Sequence, residues 1–315
     1  MMPTTGTSDA LEQMFERFLL EDERAAWAWE FEPEPRATQL KLATPRTNLG
    51  RSRGRFRLLA EALAPMVASG ASICDVGAYP GTLLRLIRRL PGGSSVTLGA
   101  AGLGISGPYR EALDALGIAA FEAEFDVRAT DSGIPHLLEL EAAATGDWDV
   151  VVCTEVIEHQ LQPLSLLVGC HRLLRPGGSL VLTTNNAAFI GDALKLLAGR
   201  HNLNALEHSH VLLDDLWRPH IRLFLLTEIV QLLELAGFVI DEATFFDNGN
   251  VYGGAKGVAI GAIRRATGIV PRFRSHLFVR ATKSTDPSPA AWRRLDESFA
   301  SFGLRRPSPA VVVRS

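Results

Sequence analysis

Ile73-Cys74-Asp75-Val76-Gly77-Ala78-Tyr79-Pro80-Gly81 is the stretch on which the fold turns. A short apolar run ends in an acid and then in a glycine-bounded turn. Thr82-Leu83-Leu84-Arg85-Leu86-Ile87-Arg88-Arg89-Leu90 follows with apolar residues at helical spacing. The order predicts strand, tight loop, helix. In an open α/β sheet, the loop leaving a strand's carboxyl end faces unpaired helix N–H groups and is where small ligands bind.

The loop excludes some ligands by what it lacks. A dinucleotide fingerprint needs glycines at 77, 79 and 82, and Tyr79 and Thr82 fill two of those places. A P-loop needs Gly-Lys-Ser/Thr after the turn, and none follows. What remains is Asp-x-Gly-x-x-x-Gly, suited to a ligand that carries a cation as well as an anion. S-adenosylmethionine, with an ammonium, a carboxylate and a sulfonium but no phosphate, meets that description.

Three further segments follow this one. They are Asp149-Val150-Val151-Val152-Cys153-Thr154-Glu155-Val156-Ile157-Glu158-His159, Leu174-Arg175-Pro176-Gly177-Gly178-Ser179-Leu180-Val181-Leu182-Thr183-Thr184-Asn185-Asn186 and Leu235-Ala236-Gly237-Phe238. In this order and spacing the four resemble the class I S-adenosylmethionine-dependent methyltransferases, from Arg55 to Lys283. The resemblance implies a doubly wound, mostly parallel seven-stranded α/β sheet of Rossmann-like type. It implies a donor held by Asp75, Gly77, Ala78, Tyr79 and Gly81, with Asp126 accepting from the adenine amino group and Glu155 close to the transferred methyl. It also makes His159 the first candidate for a general base and His220 the second. The chain departs from the family after the second strand, where Gly99-Ala100-Ala101-Gly102 holds no acid for the ribose hydroxyls.

Composition narrows the partners. The chain has 315 residues, 47% of them hydrophobic, enough for a sizeable core, and a net charge of -3 that argues against non-specific nucleic-acid binding. Cys74, Cys153 and Cys170 lie in apolar patterns and read as reduced core thiols of a cytoplasmic protein. No apolar run is long enough to span a bilayer, and the N-terminus lacks the pattern of a signal peptide. Gly257 to Arg274, apolar and basic with no acid, reads as a surface helix; the alternative is peripheral contact with an anionic membrane.

Along the chain, residues 1–54 read as an N-terminal helical cap and linker, with a helix through Leu11, Met14, Phe15, Phe18 and Leu19. Arg46, Arg51, Arg53, Arg55 and Arg57 read as a solvated helix face; the alternative is contact with a phosphate-bearing substrate. Residues 55–283 form the methyltransferase domain, with 187–219 inserted as an apolar acceptor lid. Residues 284–315, with Pro287, Pro289, Pro307 and Pro309, read as a loosely held tail. Strands are expected at 96–100, 119–124, 149–153, 179–184, 238–246 and 276–282, and helices at 161–174 and, behind a Thr227 cap, 228–236.

The expected reaction is O-methylation of a small-molecule or sugar-type acceptor inside the lid, without a metal. Two other readings stand beside it. One is a non-catalytic, methyltransferase-like binding module, prompted by the missing acid and by Tyr79. The other is a metal-dependent RNA 2′-O-methyltransferase, in which Glu155, Glu158, His159 and His220 would hold a divalent ion.

Overall fold

The computed structural model describes residues 10–11, 13–18, 45–105, 107–126, 134–139, 148–201, 203, 220–248, 261, 265, 269–303 and 305. The strands are β1 Ile73–Val76, β2 Leu98–Gly102, β3 Ile118–Glu122, β4 Trp148–Thr154, β5 Leu174–Asn185, β6 Phe238–Phe246 and β7 His276–Lys283. They form one sheet in the order β3-β2-β1-β4-β5-β7-β6. All pairs are parallel except β5–β7 and β6–β7. The order reverses between β1 and β4, so the crevice at their carboxyl ends is the expected ligand position.

Burial explains the strands. Every residue of β1 and β2 is buried, as a parallel strand covered on both faces requires. Alternate residues feed two cores: Cys74, Val76, Ala101 and Ala123 face one, and Ile73, Ala100, Ala120 and Val152 the other. The lower ends of β1 and β4 are locked by Ser72, whose N–H and hydroxyl both donate to Asp149 Oδ2 at 2.8 and 2.9 Å. β6 forms one edge of the sheet, and only its end residues, Phe238 and Phe246, are buried.

Helices flank the sheet: α1 Pro45–Ala68, α2 Thr82–Arg89, α3 Gly107–Ala115, α4 Pro163–Leu173, α5 Ile190–Leu197, α6 Leu226–Leu235 and α7 Pro289–Ser301. In α1, Leu59, Leu63 and Val67 are buried at four-residue intervals. α4 buries nine residues, so it is a core helix rather than an amphipathic one.

Several boundaries differ from expectation. β2 starts at Leu98 rather than 96, because a one-turn 3-10 helix, Gly93–Ser95, takes up chain first and pairing with β1 fixes the register. β3 starts and ends earlier than expected, at 118 and 122. α4 begins at Pro163 because Gln162 caps it and proline suits its first turn. α6 begins before Thr227, with the Glu228 carboxylate returning to the Leu225 N–H at 2.8 Å.

The loosely held tail is corrected over residues 289–301. Ser288 accepts from the Ala291 N–H, Pro289 occupies the first turn, and Ala291, Leu295 and Phe299 are buried at four-residue intervals. Pro289 marks a helix start, not a loosened chain; of the expected tail, 304 and 306–315 lie outside the described residues. Of the expected lid, 202 and 204–219 lie outside the described residues, as does most of 257–268; α5, at the start of the lid, buries none of its residues. Among the described residues no helix is long and apolar enough to cross a membrane.

Candidate active site

The loop after β1 is shaped by its main chain. Gly77 and Gly81 have φ of 81° and 84°, the left-handed region that glycine enters without strain. A Cβ on Gly77 would stand 2.4 Å from Val156 Cγ2, so the β1 and β4 loops touch where only glycine fits. The Gly77 N–H donates to the Ala101 carbonyl at 2.8 Å, tying the loop to β2. Tyr109 donates its hydroxyl to the Ala78 carbonyl at 2.9 Å, and the Tyr79 ring rests edge-on against Tyr109. Beneath the loop, burial raises the Asp75 carboxyl to about 7, although the Arg55 charge opposes the shift.

The loop after β4 is held by side chains. Glu155 has φ of 56°, the one positive value on a non-glycine among the described residues. Thr183 Oγ1 donates to its Oε1 at 2.9 Å and Asn185 Nδ2 to its Oε2 at 3.2 Å. His276 Nε2 lies 3.3 Å and Arg55 Nη1 3.6 Å from the same Oε2. Burial pushes this carboxyl up, but His276, Arg55 and the Thr183 hydrogen bond together hold it at about 2. Three residues on, Glu158 is fully buried and accepts from Thr184 at 2.8 Å and Asn185 at 3.0 Å. Burial first and the Glu155 charge second push it up to about 8. One acid is a fixed anion and its neighbour a neutral one at neutral pH.

The two candidate histidines meet. The His159 and His220 rings stand edge to face with centroids 4.7 Å apart, and His220 Nε2 lies 4.0 Å from Glu158 Oε1. The Glu158 carbonyl accepts from Ile221 N–H at 2.8 Å, which brings His220 alongside the loop from far along the chain. Burial, then the adjacent His159, lowers His220 to about 4. Glu158, His159 and His220 each offer a ligand atom within 4.8 Å of the others, a set able to hold a divalent ion.

Asp126, expected at the adenine amino group, is held by main-chain amides. It is fully buried, and its two oxygens accept from the Leu161 and Gln162 N–H groups at 2.8 and 2.9 Å. The carboxylate therefore joins the β3 end to the entrance of α4.

Sequence reasoning missed Arg55, Thr183, Asn185 and His276 as site residues. Arg55 carried a signal, since it stands four residues before Leu59 on the stripe that continues through Leu63 and Val67. It turns inward, its Nε buried without a hydrogen-bond partner, whereas Arg53 pairs with Glu16 and Arg57 with Glu61. His276 is in register with Asn185 because β7 is antiparallel: its first residue, not its last, lies at the catalytic end.

These features fit S-adenosylmethionine: a glycine cradle at 77 to 81, and a partly buried guanidinium beside Glu155 whose buried Nε has no hydrogen-bond partner and whose charge acts on Asp75. Residues 51–243 match a methyltransferase domain family. The ubiquinone biosynthesis O-methyltransferase of Xanthomonas campestris is 28% identical over 179 residues, 56% of this chain and 70% of the relative. That of Aromatoleum aromaticum is 28% identical over 141 residues, 45% of this chain and 55% of the relative. Among solved structures, a 1,6-didemethyltoxoflavin-N1-methyltransferase of Burkholderia thailandensis with bound S-adenosylhomocysteine aligns with TM-score 0.43 and 15% identity, over 71% of this chain and 77% of that one. With the sheet order, the glycine cradle and a family match across more than half its length, the chain belongs to the class I S-adenosylmethionine-dependent methyltransferases.

Proposed function

We propose that the protein methylates a hydroxyl of a small-molecule acceptor, with His159 as the base. The observation that carries this is the packed His159–His220 pair beside the β4 loop, at the switch point of the sheet. Bound S-adenosylmethionine supplies an electrophilic methyl group on a sulfonium. The chain's part is to align the acceptor oxygen in line with that methyl and to take its proton. His220, lowered to about 4, stays neutral above that pH and is too weak a base to lead; it braces the His159 ring. Arg55, with its unsatisfied Nε and its guanidinium held beside Glu155, is suited to the donor's carboxylate. Glu155, ionised and pinned, keeps that guanidinium and the β4 loop in place.

The test screens phenols, catechols and sugars for release of S-adenosylhomocysteine, then compares variants on the best acceptor. His159→Ala is expected to lower kcat roughly 10²- to 10³-fold, and His220→Ala less. A double variant with wild-type turnover would remove the assignment. The Glu158, His159 and His220 geometry favours a second reading, in which a divalent ion binds the acceptor oxygens. Loss of turnover on chelation, restored by Mn²⁺ or Mg²⁺, selects that reading; retention of turnover selects the metal-free one.

A further inference from the structure

In doubly wound sheets an acid about twenty residues past the glycine loop ordinarily accepts from the ribose hydroxyls. Here that count leads into β2, whose residues Leu98-Gly99-Ala100-Ala101-Gly102 include no acid. The donor is nonetheless a nucleoside with a vicinal diol, and two hydroxyls facing an apolar strand end would lose hydrogen bonds on binding.

Gly102 closes β2 and faces the donor loop: a Cβ built there lies 3.6 Å from Gly77 N and Cα and 3.7 Å from Ala78 N. Its register partner across the parallel pair is Glu122, the last residue of β3. Paired residues share a face, and alternation puts these two on the side of Ala100 and Ala120. One strand spacing, ~4.8 Å, separates them, about the span of an extended glutamate side chain.

The neighbouring acids are engaged. Glu124 Oε1 accepts from the Phe125 and Asp126 N–H groups, both Asp126 oxygens hold α4's entrance, and Asp75 is buried beneath the glycine loop in the field of Arg55. Glu122 is half-buried and, among the described residues, has no hydrogen bond or ion pair.

We infer that Glu122 takes the ribose hydroxyls of the methyl donor, a carboxylate moved one strand outward across the gap at Gly102. The assignment goes beyond the acceptor reading and does not depend on which atom is methylated.

Isothermal titration with S-adenosylhomocysteine and its 2′-deoxy and 3′-deoxy analogues tests it. The wild type is expected to lose roughly tenfold in affinity for each missing hydroxyl, and Glu122→Gln to bind the parent compound roughly 10- to 100-fold more weakly. Glu122→Gln should then bind parent and deoxy compounds alike, with an unchanged melting temperature showing that the fold is intact. Gly102→Asp combined with Glu122→Gln should restore the discrimination, since the atoms around Gly102 leave ordinary van der Waals room for a Cβ. Parent binding by Glu122→Gln within twofold of wild type overturns the inference, as does a deoxy penalty that survives in Glu122→Gln or fails to return in the double variant.

Discussion

The loops after β1 and β4 lie in contact at Gly77 and Val156, yet each reaches left-handed backbone by a different route. The β1 loop uses glycine at 77 and 81, where the conformation is free of Cβ strain. The β4 loop puts a glutamate there, which costs about 1–2 kcal/mol. The carboxylate of that glutamate is gripped by residues from α1, β5 and β7, and charge-assisted hydrogen bonds of this kind offset such a strain. Where the loop must give way to a ligand's backbone-close approach, a missing side chain suffices. Where the loop must present a fixed charge, the strain is accepted and a network holds it.

The sharpest way to break this contrast is at Gly77. Gly77→Ala combines left-handed strain of about 1–2 kcal/mol with a Cβ 2.4 Å from Val156 Cγ2, an overpacking of about 1–3 kcal/mol. Affinity for S-adenosylhomocysteine is expected to fall roughly 100-fold or more, read by calorimetry. Val156→Ala added to that variant should recover the steric part and leave the backbone part. Wild-type affinity in Gly77→Ala would show that the β1 loop does not rely on its glycine.

A smaller effect is expected at Glu155. Glu155→Gln keeps the shape but leaves Arg55 and His276 facing a neutral amide, and hydrogen bonds to a charged group contribute about 1.5–3 kcal/mol. Turnover should fall roughly 10- to 100-fold. The pH dependence has a definite sign. The folded carboxyl sits at about 2, below its ordinary 4.5, so its stabilisation is present above pH 4.5 and lost as pH falls toward 2. Denaturant titrations between pH 2 and 5 should therefore show the wild type losing stability that Glu155→Gln never had; parallel curves would remove Glu155 as the fixed anion.

The same contrast explains what could be read from the sequence. The β1 loop, the valine run of β4 and the sheet itself are local patterns, because glycine placement and unbroken apolar strands are dictated by backbone geometry and burial on two faces. His159 and His220 are named through a resemblance to known methyltransferases, and the fold brings their rings together. The network around Glu155 was not, since Arg55, Thr183, Asn185 and His276 come from three distant elements and meet only through sheet order. Asp126 shows the converse: an acid in the expected place, whose oxygens the fold uses for main-chain amides. The C-terminal helix is hidden in the sequence because a proline-rich stretch reads as a loose tail, although Ser288-Pro289 is how a helix begins.

Glu158 separates the two carboxylates most directly, because its effect is read as a slope with pH rather than as a loss of turnover. Its folded pKa of about 8 lies above the ordinary 4.5, so the sign is opposite to that of Glu155. The contribution of Glu158 is fully present below pH 4.5 and lost as pH rises through 8, by up to ~1.4 kcal/mol per unit. Glu158→Gln cannot ionise and should gain on the wild type steadily from pH 5 to pH 8, measured by urea midpoints at each pH. Burial is the larger cause of the shift and the Glu155 charge the second, so the two are separable. In a Glu155→Gln background the wild-type Glu158 should titrate lower, and the gain from Glu158→Gln should shrink without vanishing. A gain unchanged by Glu155→Gln would mean that burial alone keeps Glu158 neutral, and that the two acids, though bridged by Asn185, do not sense each other.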